Sequence, residues 1–127
     1  MADTSALTDC INALEATLGE LNRIARRSDA DRKRDLVAMR RNLSERIGIL
    51  PDAATQPGAP FADPPLSDEF QARFSKMRSA VALHQATWSV VLIDDAPDAY
   101  RESADRATAT TRDFILWARA ALTSNRS

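Results

Sequence analysis

Three groups of residues have side chains that could do chemistry. His84 is the only histidine, and an imidazole can transfer protons, accept a phosphoryl group or bind a metal. Asp94, Asp95 and Asp98 stand close together and could supply carboxylate oxygens to a divalent cation. Cys10 is the only cysteine, and its thiolate would be a nucleophile.

None of these residues has the spacing that is typical of a catalytic or metal site. His84 falls within a helical apolar pattern, where a histidine is usually a hydrogen-bonded residue at the edge of the core. The aspartates lack the alternate spacing and the glycine of an EF-hand loop, and aspartates between helices are common caps. A zinc site would need further histidines or cysteines. We therefore expect no catalytic residue, no cofactor and no metal.

The composition is that of a soluble helical protein. Of the 127 residues, 44% are apolar and 28% are charged, and there are only three glycines. The sequence begins without the apolar core of a signal peptide, and its longest apolar runs are too short to cross a bilayer. We therefore expect one cytoplasmic domain over residues 1–127. Fifteen arginines against two lysines indicate a bacterial source.

Apolar side chains recur at alternating intervals of four and three residues along four segments. The most regular stripe consists of Phe70, Phe74, Met77, Val81, His84, Trp88 and Val91. Similar stripes run through residues 7–25, 36–47 and 100–121. This spacing places each set on one face of an α-helix. The sequence therefore predicts four amphipathic helices whose apolar faces meet in one core.

The first two stripes are out of register, which predicts a break between two helices at residues 27–29. Ser28 is suited to cap the second helix, and one continuous helix over residues 4–47 is the alternative. The second helix is predicted to end at Gly48, because glycine suits the left-handed conformation of a C-terminal cap and Pro51 prevents continuation.

Two connections follow. Residues 50–66 contain five prolines and are expected to form an extended linker, which Phe61 holds against the bundle surface. Residues 88–93 are apolar on every side and could form a short strand, but the unbroken stripe favours helix. Pro97 is suited to the first turn of the last helix.

The short connection before the last helix forces the last two helices to run antiparallel. Phe70 and Phe74 should then lie beside Phe114, and Trp88 should lie near Tyr100. The predicted fold is all-α: a four-helix bundle made of two helical hairpins joined by the proline-rich linker. The first hairpin comprises residues 1–49, and the second comprises residues 67–124.

Basic side chains are concentrated around the predicted second helix. Residues 23–46 include nine basic and four acidic residues, a balance of +5 against −6 for the remainder of the chain. Such a surface could contact phosphates or an acidic protein, although it lacks aromatic side chains for base stacking. The candidate contact residues are Arg26, Arg27, Arg32, Lys33, Arg34, Arg40 and Arg41.

An apolar excess marks a second candidate surface. Residues 90–93 and 114–118 are apolar on every side, and four helices of a monomer do not provide cover on every side. We therefore expect a partner protein or a second copy of the chain to contact this region. The candidate contact residues are Val90, Leu92, Ile93 and Leu116.

The sequence thus favours a non-enzymatic protein–protein interaction module of a bacterial cytoplasm. An adaptor, a chaperone or a regulatory subunit would fit, without a cofactor or a membrane. One alternative is a nucleic-acid-associated protein that binds phosphates through the arginine-rich helix. Another is a small-ligand binder or an enzyme with a site between the helices.

Overall fold

The computed structural model describes residues 4–124, and the first and last three residues of the expected domain lie outside this range. Four helices follow one another along the chain. They are α1 (Ser5–Ala25), α2 (Arg32–Thr55), α3 (Leu66–Thr87) and α4 (Pro97–Ser124). The predicted all-α four-helix bundle is confirmed.

Neighbouring helices pair as two hairpins. α1 packs against α2 and α3 against α4, while α1–α4 and α2–α3 contacts close the bundle. The predicted break after the first stripe is confirmed, because α1 ends at Ala25. The amides of Arg26 and Arg27 then donate to the carbonyls of Arg23 and Ile24, which terminates the helix.

The prediction that the second helix ends at Gly48 is wrong. α2 continues through Pro51 to Thr55, and Gly48 does not adopt a left-handed conformation. Proline inside a helix costs about 3 kcal/mol. Leu50 and Ala54 are fully buried in this last stretch. Burying one leucine contributes about 1.5–3 kcal/mol, so tertiary packing offsets the local penalty.

The proline-rich segment after α2 is partly a component of the core. Gly58 has a φ of 86°, and this left-handed residue turns the chain back towards α2. The amide of Phe61 donates to the carbonyl of Ala54 at 2.8 Å. The Phe61 side chain is 0% exposed and lies inside the bundle. The expectation that it lies against the bundle surface is therefore wrong.

An aromatic cluster around Phe61 joins the linker to the second hairpin. The Phe61 ring centroid lies 6.1 Å from that of Phe70 and 5.4 Å from that of Trp117. Phe114 lies 5.9 Å from Phe70 and 6.1 Å from Phe74, which confirms the predicted antiparallel register of α3 and α4. Leucine and isoleucine side chains of α1 and α2 complete this main core.

A smaller apolar cluster lies at the opposite end of the bundle. It contains Ile24, Leu36, Ile93 and Tyr100. The expected contact of Trp88 with Tyr100 is confirmed by a centroid separation of 5.9 Å. The buried residues of this cluster are distinct from those of the main core, and Leu21 packs against both clusters.

The prediction that helix continues through residues 88–93 is wrong, and no strand forms there either. α3 ends at Thr87, and turns follow in which the amide of Leu92 donates to the carbonyl of Ser89. The turns bury Ile93 in the smaller cluster and leave Val91, the last member of the stripe, 73% exposed. Because α3 ends at Thr87, the turns that follow can place Ile93 in the same buried cluster as Tyr100.

We predict that Phe61→Ala destabilises the fold by about 3–5 kcal/mol, because it removes a fully buried ring from the aromatic cluster. Urea unfolding followed by circular dichroism measures this change. Val37→Ala is the matched control, since Val37 is 44% exposed on α2. Its effect should stay within about 0.5 kcal/mol. Equal effects of the two substitutions would contradict the structural role of Phe61.

Candidate functional site

All four helices contribute to a cavity between the two apolar clusters. Its volume is about 50 Å³. The polar side chains that line it are Asn22 of α1, Arg40 of α2, His84 and Gln85 of α3, and Tyr100, Thr108 and Thr111 of α4. Four-helix bundles commonly place ligands at this level, in contact with facing helices. We call this feature the central cavity.

His84 is held in the wall of the central cavity. A hydrogen bond of 2.8 Å joins its Nδ1 to Ser103 Oγ, and its ring stacks on Tyr100 with centroids 5.7 Å apart. Burial and, to a smaller extent, the positive charge of Arg40 lower the pKa of His84 to about 4. The ring is therefore neutral at neutral pH. Its Nδ1 is hydrogen-bonded to Ser103, and its face is stacked on Tyr100.

Arg40 brings a positive charge to the cavity wall. Burial lowers the pKa of Arg40, and the nearby Tyr100 hydroxyl partly opposes this shift through its electrostatic interaction and a hydrogen bond. The Nη2 atom of Arg40 is buried, and no acceptor among the described residues reaches it. None of the residues that line the cavity is an aspartate or a glutamate.

A hydrogen bond separates the central cavity from a groove on the surface. Thr108 Oγ1 donates to Asn22 Oδ1 at 3.1 Å, and both residues line the cavity as well as the groove. The groove runs between α1 and α4, has a volume of about 500 Å³ and carries Arg23, Arg26 and Arg112 together with Asp105. Arg112 lies far from the basic cluster in sequence and joins it only through the packing of α4 on α1.

The predicted basic cluster does not form a free cationic face. Most of its members are engaged within the protein. Arg27 bonds Asp29 at 2.6 Å and Asp35 at 2.9 Å. Arg32 and Lys33 both bond Asp94, at 3.0 and 3.1 Å.

The remaining basic candidates are dispersed. Arg34 lies 3.5 Å from Asp31. Arg40 faces the central cavity, and the exposed Arg26 and Arg41 have no ion-pair partner within residues 4–124. The sequence concentrated these charges in one segment, whereas the helix spreads them over several faces.

Of the three aspartates near the start of α4, Asp94 bonds the basic residues Arg32 and Lys33 of α2. Hydrogen bonds from Lys33, and then from Arg32, lower the pKa of Asp94. No three carboxylate, histidine or cysteine side chains of the described chain converge as a metal site would require. Burial and the charge of Asp9 raise the pKa of Cys10, so its thiol is not activated as a nucleophile.

Exposed large apolar residues are concentrated on the α3–α4 hairpin. Among the predicted contact residues, Leu116 is 66% exposed and Leu92 is 43% exposed, but Val90 is half-buried. Ile93 is 1% exposed and belongs to the smaller cluster. Contrary to the prediction, it offers no surface for contact with a partner. Sequence reasoning missed Leu83, which is 69% exposed and stands just outside the buried stripe of α3.

Leu83 and Leu116 border two adjoining hollows between α3 and α4, with volumes of about 270 and 320 Å³. Thr110 lines both hollows, so they form one continuous surface feature that we call the α3–α4 groove. Its remaining lining includes Arg73, Lys76, Ala80, Thr87, Trp88, Ser103, Arg106, Ala107 and Asp113. The small residues Ala80, Ser103 and Ala107 line the hollow beside Leu83.

Comparisons with known proteins give no relative for this chain: no family model, no curated protein and no solved structure matches it. Within residues 4–124, none of the four helices combines the length and the apolar character that a bilayer crossing requires. In the part of the chain that the structure describes, the two features that can support a function are the α3–α4 groove and the central cavity.

We predict that His84 makes the stability depend on pH between 6.5 and 4. The folded pKa of about 4 lies below the ordinary value of 6.5, so the unfolded chain binds a proton first as the pH falls. Stability from the neutral ring is present above pH 6.5 and is lost towards pH 4. The loss should be about 2 kcal/mol, reduced from the full shift because the ring is only partly buried.

Urea unfolding at a series of pH values measures this loss in the wild type and in His84→Gln. The substitution removes the titrating ring but keeps an amide that can bond Ser103. Carboxylates contribute equally to both proteins, so the difference between the two curves isolates the histidine. Parallel curves would show that the ring is as accessible to protons in the folded protein as in the unfolded chain.

Proposed function

We propose that this protein binds an acidic amphipathic helix of a partner protein in the α3–α4 groove. The observation that carries the proposal is the exposure of Leu83 and Leu116, at 69% and 66%, beside a continuous groove between two helices. Large exposed apolar side chains at a groove are typical of protein-binding surfaces. An adaptor, chaperone or regulatory role in a bacterial cytoplasm is consistent with such binding.

The dimensions of the groove suit a helix. Its α3 wall extends from Arg73 to Trp88, which corresponds to about 22 Å at 1.5 Å per residue. A partner helix of about four turns would match this length. Ala80, Ser103 and Ala107 are small and line the hollow beside Leu83, so a helix could approach this part of the groove closely.

The charges of the groove favour an acidic helix. Three cations line it, Arg73, Lys76 and Arg106, against the single carboxylate of Asp113. Arg73 bonds Glu69 at 3.0 Å, and Arg106 lies 3.9 Å from Glu102. Both glutamates are exposed, and such surface pairs contribute at most about 1 kcal/mol, so a partner's carboxylates can compete with them. Lys76 has no ion-pair partner within residues 4–124.

The same charges disfavour a second copy of the chain as the occupant. A homodimer about a twofold axis would place this groove against itself and bring the cations of the two copies together. Nucleic acid is supported less well, because ion pairs to Asp29, Asp35 and Asp94 engage most of the arginine-rich segment. Phosphate contacts would have to displace those carboxylates.

We predict that a designed amphipathic helical peptide with a leucine stripe and a glutamate-rich polar face binds the full chain saturably. A matched peptide with the same stripe and a lysine-rich face should bind at least about tenfold more weakly, because its charges repel those of the groove. Fluorescence anisotropy of labelled peptides measures both affinities, and amide chemical-shift changes locate the bound peptide.

Leu83→Ser should weaken binding of the acidic peptide about tenfold, since it removes an exposed apolar anchor without disturbing the core. Val37→Ser is the matched control, because Val37 is also exposed but lies on α2. It should leave the affinity unchanged. Equal binding of both peptides, shifts confined to other surfaces, or a homodimer that Leu83→Ser dissociates would each overturn the proposal.

A further inference from the structure

Arg40 is a half-buried cation for which residues 4–124 supply no counter-charge. Its Nη2 atom is buried without an acceptor among the described residues, and no carboxylate lines the cavity beside it. Removing a charge from water is costly unless an opposite charge or hydrogen bonds compensate it. The Tyr100 hydroxyl compensates Arg40 only in part, because it is neutral.

Arg32 shows how the same chain compensates another partly buried guanidinium. Its Nε is also buried without a partner, but its Nη1 donates to Asp94 at 3.0 Å and its Nη2 to the Ala25 carbonyl at 2.7 Å. The charge of Arg32 is therefore neutralised by the protein. Arg40 has no equivalent of Asp94, which distinguishes the central cavity from the rest of the bundle.

The other groups of the cavity can donate hydrogen bonds but add no charge. His84 is neutral at neutral pH, and Tyr100 can donate its hydroxyl proton while it accepts from Arg40. The side-chain amides of Asn22 and Gln85 each carry an NH₂ group. Asn22 uses its oxygen to accept from Thr108, which leaves its NH₂ as the group available to a ligand.

We infer that the central cavity binds a small monovalent anion beside the guanidinium of Arg40. The cavity of about 50 Å³ exceeds the space that one water needs, about 10–15 Å³ on the same measure, and suits a halide or a carboxylate of very few atoms. Water could accept a hydrogen bond from Arg40, but only an anion also compensates its charge.

The arginine-bearing groove between α1 and α4 offers an entry path. The Thr108–Asn22 hydrogen bond separates this groove from the cavity, and rotation of these two side chains would connect them. Arg23 is paired with Glu20 and Asp105 also lines the groove, so Arg26 and Arg112 supply its excess positive charge, which raises the local concentration of anions. A larger anion could approach these arginines but could not enter the cavity.

Titration of the full chain with sodium chloride, sodium formate or sodium gluconate at fixed ionic strength tests the inference. Chloride and formate fit the cavity, whereas gluconate is too large and serves as the reference anion. Chloride or formate should shift the Arg40 Nε–Hε resonance saturably. The Tm should rise by about 3–5 °C once the anion reaches ten times its Kd.

Arg40→Met should abolish the rise in Tm, and Arg41→Met should retain it. Arg41 is the matched control because it is adjacent in sequence, exposed and without an ion-pair partner in the described chain. The wild-type resonance alone decides the question if Arg40→Met fails to fold. A shift that does not saturate, an equal response to gluconate, or a rise in Tm that persists in Arg40→Met would overturn the inference.

Discussion

The burial of Phe61 is the constraint on which the rest of the bundle depends. Its ring contacts Phe70 of α3 and Trp117 of α4, while its amide bonds the last turn of α2. One residue of the proline-rich segment therefore connects the end of the first hairpin to both helices of the second. This connection fixes the end of the first hairpin against the second hairpin.

Polar side chains in the wall of the central cavity lie between a large and a small apolar cluster, with Leu21 packing against both. A continuous apolar core would be simpler to fold, because each buried polar group needs a partner. His84 obtains partners in Ser103 and Tyr100, whereas Arg40 obtains only partial compensation. Under the proposal that the central cavity binds an anion, the incompletely satisfied Arg40 costs stability in the empty protein and supplies the charge that holds the ligand.

The four-helix architecture and the contact of Phe70 with Phe114 were predictable, because long periodic stripes report which face of a helix is buried. The extension of α2 past Pro51 was not, since it depends on burial of Leu50 by distant helices. The end of α3 at Thr87 was hidden because Trp88 and Val91 continue the stripe by coincidence. Side chains from different helices that line one cavity or groove, such as Arg23 with Arg112 or Arg40 with His84, leave no pattern within one segment of the sequence. Exposed Leu83 carries no periodic signal either.

Hydrogen exchange at the Phe61 amide tests most directly whether the proline-rich segment is part of the cooperative core. That amide bonds the Ala54 carbonyl beneath a fully buried ring. It should therefore exchange only when the whole bundle unfolds, with an exchange free energy equal to the global free energy of unfolding from urea. Exchange through a local opening, at a free energy well below the global value and independent of urea, would contradict this account of the fold.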